Sequence, residues 1–265
     1  MNSFSLKVVI LGIIWRIYLT IAESENQSPV VTDGNRAEVG QFPWHVILKV
    51  QNFDDELESF GGSIISNKWV LTAAYPFYSP YLVKLIFGTI ELDNNDTTMI
   101  SSNVFIHPQF NRSTYRNDIA LIELEFELDF DNNIQPIALA SAAQSSNDFI
   151  GANVIITGFG LTADVLKLSD WLLWTTLEIV NSSVCDSVFD IPVLDCEMCA
   201  SALKGISPCD GDSGGALVWK NENDKMVQIG LFSFSMLECS KYPTSHIKVS
   251  SYLDYIHNIT GLNFD

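Results

Sequence analysis

The chain has 265 residues, 47% of them hydrophobic, with 32 acidic against 14 basic side chains and a formal net charge of −18. That length and apolar content suffice for one large all-β domain or two smaller halves with a true core. The acidity excludes nucleic acid and anionic membranes as attractive partners, since both would repel it. Solubility, or a cationic partner, fits the charge better.

Residues 1–22 read as a secretory signal: Lys7 is the positive end, Val8 to Trp15 is apolar, and Thr20-Ile21-Ala22 offers small residues for cleavage. Arg16 interrupts the apolar run, which argues against a membrane span. Without Lys7 and Arg16 the mature chain carries 12 basic against 32 acidic side chains, a charge of roughly −20. Five cysteines in an exported chain imply disulfides and one leftover thiol. Asn-x-Ser/Thr acceptors stand at Asn95, Asn111, Asn181 and Asn258, and at Asn26, where Pro29 weakens the motif. Signal, cysteines and acceptors together predict a secreted, extracellular, glycosylated protein.

A short polar lead spans 23–30. The segment Val31-Thr32-Asp33-Gly34 then precedes Ala37-Glu38-Val39-Gly40-Gln41-Phe42-Pro43-Trp44. Short β-branched runs follow at Val46–Val50, Ser63–Ile65, Trp69–Leu71, Val83–Phe87 and Val104–Ile106, punctuated by Gly, Pro and Asn. Strands at this spacing argue a sandwich or a barrel. Trp69-Val70-Leu71-Thr72-Ala73-Ala74 runs into Tyr75-Pro76; His107-Pro108-Gln109-Phe110-Asn111 and Asn117-Asp118-Ile119-Ala120-Leu121 come next. The polar stretch Ser141 to Asp148 reads as a linker between halves. Strands restart at Val154–Gly160 and continue at Trp174–Val180, Ala216–Trp219 and Val227–Ser233. After Ser250, the spacing of Tyr252, Leu253, Tyr255, Ile256 and Ile259 predicts one C-terminal helix.

Cys209-Asp210-Gly211-Asp212-Ser213-Gly214-Gly215 is the stretch that carries chemistry. Glycines let backbone approach a reacting carbonyl closely. The N–H groups of Gly211 and Ser213 can aim at one point, as an oxyanion requires. Here the chain resembles the chymotrypsin/trypsin-like serine proteases, whose nucleophile lies in C-x-GDSGG; the likeness covers about Val31 to Gly261.

The resemblance implies an all-β domain over 31–261, built as two six-stranded antiparallel Greek-key barrels, about 31–140 and 141–249, with a short C-terminal helix. It places Ser213 as nucleophile, Asp118 as the buried orienting carboxylate, and Ser233 as its hydrogen-bond partner. Asp212 would receive an amine freed by a cut before Val31. Residues Ser207, Ser233, Ser235, Thr244 and His246 would line the specificity pocket, where Ser207 in place of Asp, and larger walls at Ser235 and Thr244, imply a small neutral side chain. It implies disulfides Cys185–Cys199 and Cys209–Cys239. That leaves Cys196 buried, capped or bridging to another chain. No cofactor or metal is expected: Cys196 to Cys199 is a lone CxxC, and Glu91, Asp93 and Asp96 read as a solvated loop.

The departures are concentrated in the base and the activation segment. Where the family follows WVLTAA with His-Cys, this chain has Tyr75-Pro76, and Phe60 replaces the cysteine before Gly61-Gly62, so both halves of one disulfide are missing together. Pro29-Val30 offers no basic residue for a trypsin-like activator, and Asp33 stands where the family has Gly. A phenol, with an ordinary pKa near ~10, is a donor at neutral pH and not a base. Loss of the base in a serine protease costs on the order of 10⁶ in turnover. None of the four histidines, His45, His107, His246 and His257, is expected between Asp118 and Ser213. The expectation is therefore a protease homologue that is not an enzyme, binding an extracellular protease, inhibitor or cascade component. The alternative is an active serine endopeptidase with a narrow elastase- or chymotrypsin-like pocket.

Overall fold

The computed structural model describes residues 34–51, 56–77, 82–94, 97–162, 167–203, 205–236 and 238–264. These all fall in one compact unit, 31–265. The secretory signal, the polar lead, Val31 and Asn95 lie outside the described residues.

The first sheet joins β2 (His45–Gln51), β3 (Leu57–Ile64), β4 (Trp69–Thr72), β5 (Val83–Phe87), β6 (Thr97–Ser101), β7 (Val104–Ile106) and β8 (Ala120–Glu123) in the order β6-β5-β2-β3-β4-β8-β7; β1 (Asn35–Arg36) belongs to the second. All pairings are antiparallel. Period-two alternation explains the wrap: Val46, Leu48 and Val50 of β2 face the same cluster as Val83, Leu85 and Phe87 of β5, as do Val70 and Ile122. Among the described residues no ladder joins β6 to β7, so the sheet curls around its core without an end-to-end seam.

The second sheet is closed. It comprises β10 (Asn153–Gly158), β13 (Leu173–Val180), β14 (Glu197–Ala202), β15 (Ala216–Lys220), β16 (Met226–Phe234) and β17 (Thr244–Lys248), with β9 (Ala138–Leu139) and β1 attached, while β11 (Leu161–Thr162) and β12 (Lys167–Leu168) pair with each other apart from it. The order β13-β10-β15-β16-β17-β14 returns on itself because Leu177 to Val180 of β13 pair with Ala202 to Cys199 of β14. Closure removes the edges that an open sheet would expose. Its interior holds Val154, Ile156, Leu177, Ile179, Met198, Leu217, Ile229 and Phe232.

The seam between the sheets is apolar, with Trp44, Ile47 and Ile86 from the first packed with Phe159, Ala216 and Val218 from the second. Polar pairs cross it too: His45 Nδ1 is hydrogen-bonded to Thr157 Oγ1 at 2.9 Å, with the Phe159 ring 5.7 Å away, and Ser63 Oγ donates to Gln228 Oε1 at 2.8 Å. The C-terminal helix, Leu253–Thr260, buries Leu253 and Ile256 against the seam and ends at Gly261, whose φ of +73° closes it with a bond to His257 O. A second helix, Ser182–Asp186, was not expected. It is too short for a periodic pattern, but Asn181 caps it by accepting from Ser183 N at 3.0 Å, and that Asn-Ser-Ser start is its sequence signal.

Disulfides join Cys185 to Cys199 and Cys209 to Cys239, and Cys196 keeps a half-buried thiol. Phe60, in the place of the missing cysteine, is buried in the same cluster as Ala74 and Phe77, on either side of Pro76. Packing has replaced the covalent staple. Phe60→Ala is therefore expected to lose about 3–5 kcal/mol in denaturant melts.

Burial lowers the His45 pKa from 6.5 to about 4. The folded chain holds this imidazole neutral, whereas the unfolded chain protonates it below 6.5. Its contribution is complete above pH 6.5 and is lost as pH falls toward 4. Between pH 7 and pH 4 the protein should lose about 3 kcal/mol relative to His45→Phe, read as the difference between the two unfolding curves.

Candidate active site

The turn 209–215 leads into β15. Asp212 N donates to Cys209 O at 3.0 Å and Gly214 N to Phe232 O at 2.8 Å, so the alternating amides of Gly211 and Ser213 are the pair offered for an oxyanion. Gly211 has φ +98°, and a Cβ there would lie 2.6 Å from Leu168 Cδ2. The left-handed conformation favours glycine, while Leu168 would have to shift to admit a Cβ. Gly61 N of β3 donates to Ser213 O at 2.9 Å, which ties the turn to the first sheet.

Ser213 Oγ donates to the Ser233 carbonyl at 3.1 Å, and the hydroxyl of that same Ser233 donates to Asp118 Oδ2 at 2.5 Å. Asp118 is fully buried two residues before β8. Its Oδ1 accepts from Ala74 N at 2.8 Å and Tyr75 N at 2.7 Å. Burial raises its pKa to about 6, against the opposing pull of Ser233, the two amides and Arg112.

Tyr75 supplies its backbone to Asp118 and its ring to an aromatic row. That ring stacks on Tyr115 with centroids 5.1 Å apart; Tyr115 lies 4.8 Å from Phe234, and Phe234 lies 5.0 Å from Phe189. The Arg112 guanidinium sits 4.1 Å over the Tyr75 ring and donates to Tyr75 O at 2.6 Å. Arg116 pairs with Glu197 and donates to Pro192 O, anchoring the other end of the same loop on the second sheet. Burial, and then Tyr75, push the Tyr115 phenol up to about 12. Arg112, Tyr115 and Arg116 are residues that the sequence reading passed over. Their signal was two cations flanking an aromatic in an acid-rich chain.

The histidines stand elsewhere. His45 is bonded to Thr157, His107 packs edge-on against Tyr252 and Tyr255, and His257 Nδ1 is bonded to Leu262 O. His246 Nε2 is bonded to Thr244 Oγ1 at 2.8 Å, and burial lowers its pKa to about 3. At the expected pocket floor, Ser207 Oγ and His246 Nδ1 are buried with no hydrogen-bond partner among the described residues. Thr244 Oγ1 also donates to Ala200 O, while Ser235 lies nearer the surface and donates to Met236 O. Of the glycan acceptors described, Asn111, Asn181 and Asn258 are all exposed.

Asp212, the second buried carboxylate, accepts from Gly160 N at 2.6 Å and Cys209 N at 2.9 Å. Burial raises its pKa to about 6 as well. Among the described residues no group of three His, Cys, Asp or Glu is placed to hold a metal ion.

Comparison with known proteins gives a consistent result. The trypsin family model matches residues 31–256. A collagenase of Hypoderma lineatum is 32% identical over 238 residues, 88% of this chain and 88% of the relative. A trypsin of Phaedon cochleariae is 30% identical over 271 residues, 99% of this chain and 100% of the relative. A solved structure of HL collagenase superposes with a TM-score of 0.80 at 30% identity, covering 88% of this chain and 100% of that one.

These relatives correct the expectation of a chain that is not an enzyme. They are named as proteases and point to an enzyme. The physical ground for the correction is that the serine turn and the Ser233–Asp118 pair remain assembled although Tyr75 stands where an imidazole was expected.

Asp212 is held by close approach. A Cβ on Gly158 would lie 1.8 Å from Asp212 Oδ1. Gly158→Ala must therefore displace that carboxylate and distort the turn behind Gly211. Labelling of Ser213 by a fluorophosphonate should slow by about 10²-fold, the loss seen when one oxyanion donor is removed.

Proposed function

The chain belongs to the trypsin family, and from that premise we propose that it is a serine-type endopeptidase acting on extracellular proteins. Ser213 is the nucleophile, and the N–H groups of Gly211 and Ser213 receive the developing oxyanion. Asp118 and Ser233 complete the polar centre. The observation that carries this reading is the serine turn itself, with Ser213 Oγ directed at Ser233 and Ser233 at Asp118. The names of the relatives agree with it.

Specificity follows from the pocket. Ser207 leaves no fixed charge at its floor, and Thr244 and Ser235 add bulk to its walls, so the preferred side chain before the cut is small and neutral. Export is supported by two disulfides and by the N-terminal signal pattern. The acidic chain favours cationic protein substrates and inhibitors as partners.

Tyr75 in place of an imidazole makes a slow enzyme the expected outcome. Purified secreted chain should be labelled at Ser213 by a fluorophosphonate and should cleave peptides after Ala or Ser in preference to Arg, Lys or Phe. Ser213→Ala should lose both signals. A wild-type chain that neither takes the label nor cuts any peptide of such a panel sinks the proposal.

A further inference from the structure

The Asn-x-Ser acceptor Asn111-Arg112-Ser113 is a motif that the peptidase chemistry leaves unused. It lies in the loop between β7 and β8, which also brings Arg112 and Tyr115 onto the Tyr75 ring. All three residues of the motif are exposed. Asn111 Oδ1 accepts from Ser113 N at 3.0 Å, and no described residue bonds to Asn111 Nδ2, so the fold makes no use of that nitrogen. We propose that Asn111 carries an N-linked glycan and that this glycan screens the reactive centre from bulky partners. The attachment rests on export of the chain, and the screening deepens the peptidase reading above.

The attachment balances with one co-reactant, a lipid-linked oligosaccharide diphosphate met on the secretory route. Asn111 Nδ2 bonds to the anomeric carbon of the first sugar as the bond from that carbon to the diphosphate oxygen breaks. The lipid diphosphate leaves, and one Nδ2 proton passes to solvent. Nothing is oxidised or reduced. The product is still an amide, so Asn111 Oδ1 keeps its bond from Ser113 N.

The root of the glycan is held in place. Asn111 N donates to Arg116 O at 2.9 Å and Thr114 N to Asn111 O at 3.2 Å, which closes the loop on itself. Arg116 pairs with Glu197 of β14, and Arg112 donates to Tyr75 O at 2.6 Å. A sugar on Asn111 therefore starts one residue from the guanidinium that covers Tyr75. Tyr75 N in turn reaches Asp118, which is bonded to Ser233, the partner of Ser213. An oligosaccharide is bulky and solubilising, so a small substrate passes beneath it whereas a folded protein meets it first. Asn181 caps the helix Ser182–Asp186 and Asn258 lies in the C-terminal helix, so glycans there hang from other elements.

The test uses the full chain secreted from a cultured animal cell. Enzymatic glycan release in heavy-oxygen water, followed by peptide mapping, should recover Asn111 as labelled Asp; unmodified Asn111 overturns the proposal. Ser213 is then labelled with a free fluorophosphonate and with the same group joined to a large polymer. Ser113→Ala destroys the acceptor and keeps Asn111. It should speed the polymer-linked probe about 10-fold, the low end of the range over which association rates vary among variants of one interface, and leave the free probe unchanged. Ser113→Thr, which keeps the acceptor, should match the wild type, and Asn181→Gln should change neither rate. Equal gains with both probes, or a gain with neither, overturn the screening and leave the peptidase reading intact. A chain that takes neither probe overturns the peptidase reading. Screening is then read at the exposed Arg112 with phenylglyoxal, free and polymer-linked. A lower linked-to-free ratio in the wild type than in Ser113→Ala upholds it, and equal ratios overturn it.

Discussion

A single buried carboxylate governs the geometry of this molecule. Asp118 is fully removed from water, and its oxygens are held by Ala74 N, Tyr75 N and Ser233 Oγ. An unpaired charge at such depth would cost several kcal/mol. The donors that offset this come from the turn after β4 and from β16, one on each sheet, so neither sheet can satisfy it alone. Its raised pKa carries the sign of that burden. The stability due to this group is complete below the ordinary value of 3.8 and is lost as pH rises through about 6.

Asp212 repeats the arrangement on the other side of Ser213. It is buried, raised to about 6, and satisfied by Gly160 N and Cys209 N. The nucleophile thus lies between two carboxylates that the fold has removed from solvent. Both sets of donors are mostly backbone, so the arrangement depends on chain path more than on side-chain identity. That is why a substitution as large as Tyr75 can stand at the centre without dispersing it. Tyr75 N still reaches Asp118, while the ring moves into a stack with Tyr115 and under Arg112.

The parts legible in the sequence are those whose meaning is local. The glycines around Ser213 announce a turn, and the likeness of Asn117-Asp118-Ile119-Ala120-Leu121 to a motif of the family marks Asp118 as the buried carboxylate. Alternation in Val46–Val50 and Val83–Phe87 gives the core face of the first sheet directly. The rest was not legible because its contacts join distant segments. The Tyr75–Tyr115 stack spans 40 residues of chain, the His45–Thr157 bond spans 112, and neither leaves a periodic trace. The relatives supplied what local chemistry could not: Tyr75 alone argued against catalysis, whereas the proteases that share this fold argue for it.

The last helix and the turn that leads into it have a role in this centre. Tyr252 OH donates to Asn117 Oδ1 at 3.0 Å, and Tyr255 OH donates to Phe105 O at 2.6 Å. Asn117 holds a left-handed φ of +56° immediately before Asp118. The segment that aims this carboxylate is therefore fastened by a residue 135 positions further along the chain. During synthesis, which proceeds from the N-terminus, a ribosome-bound nascent polypeptide cannot complete its reactive centre before Tyr252 and Tyr255 have emerged, so products terminated ahead of them should be chemically silent.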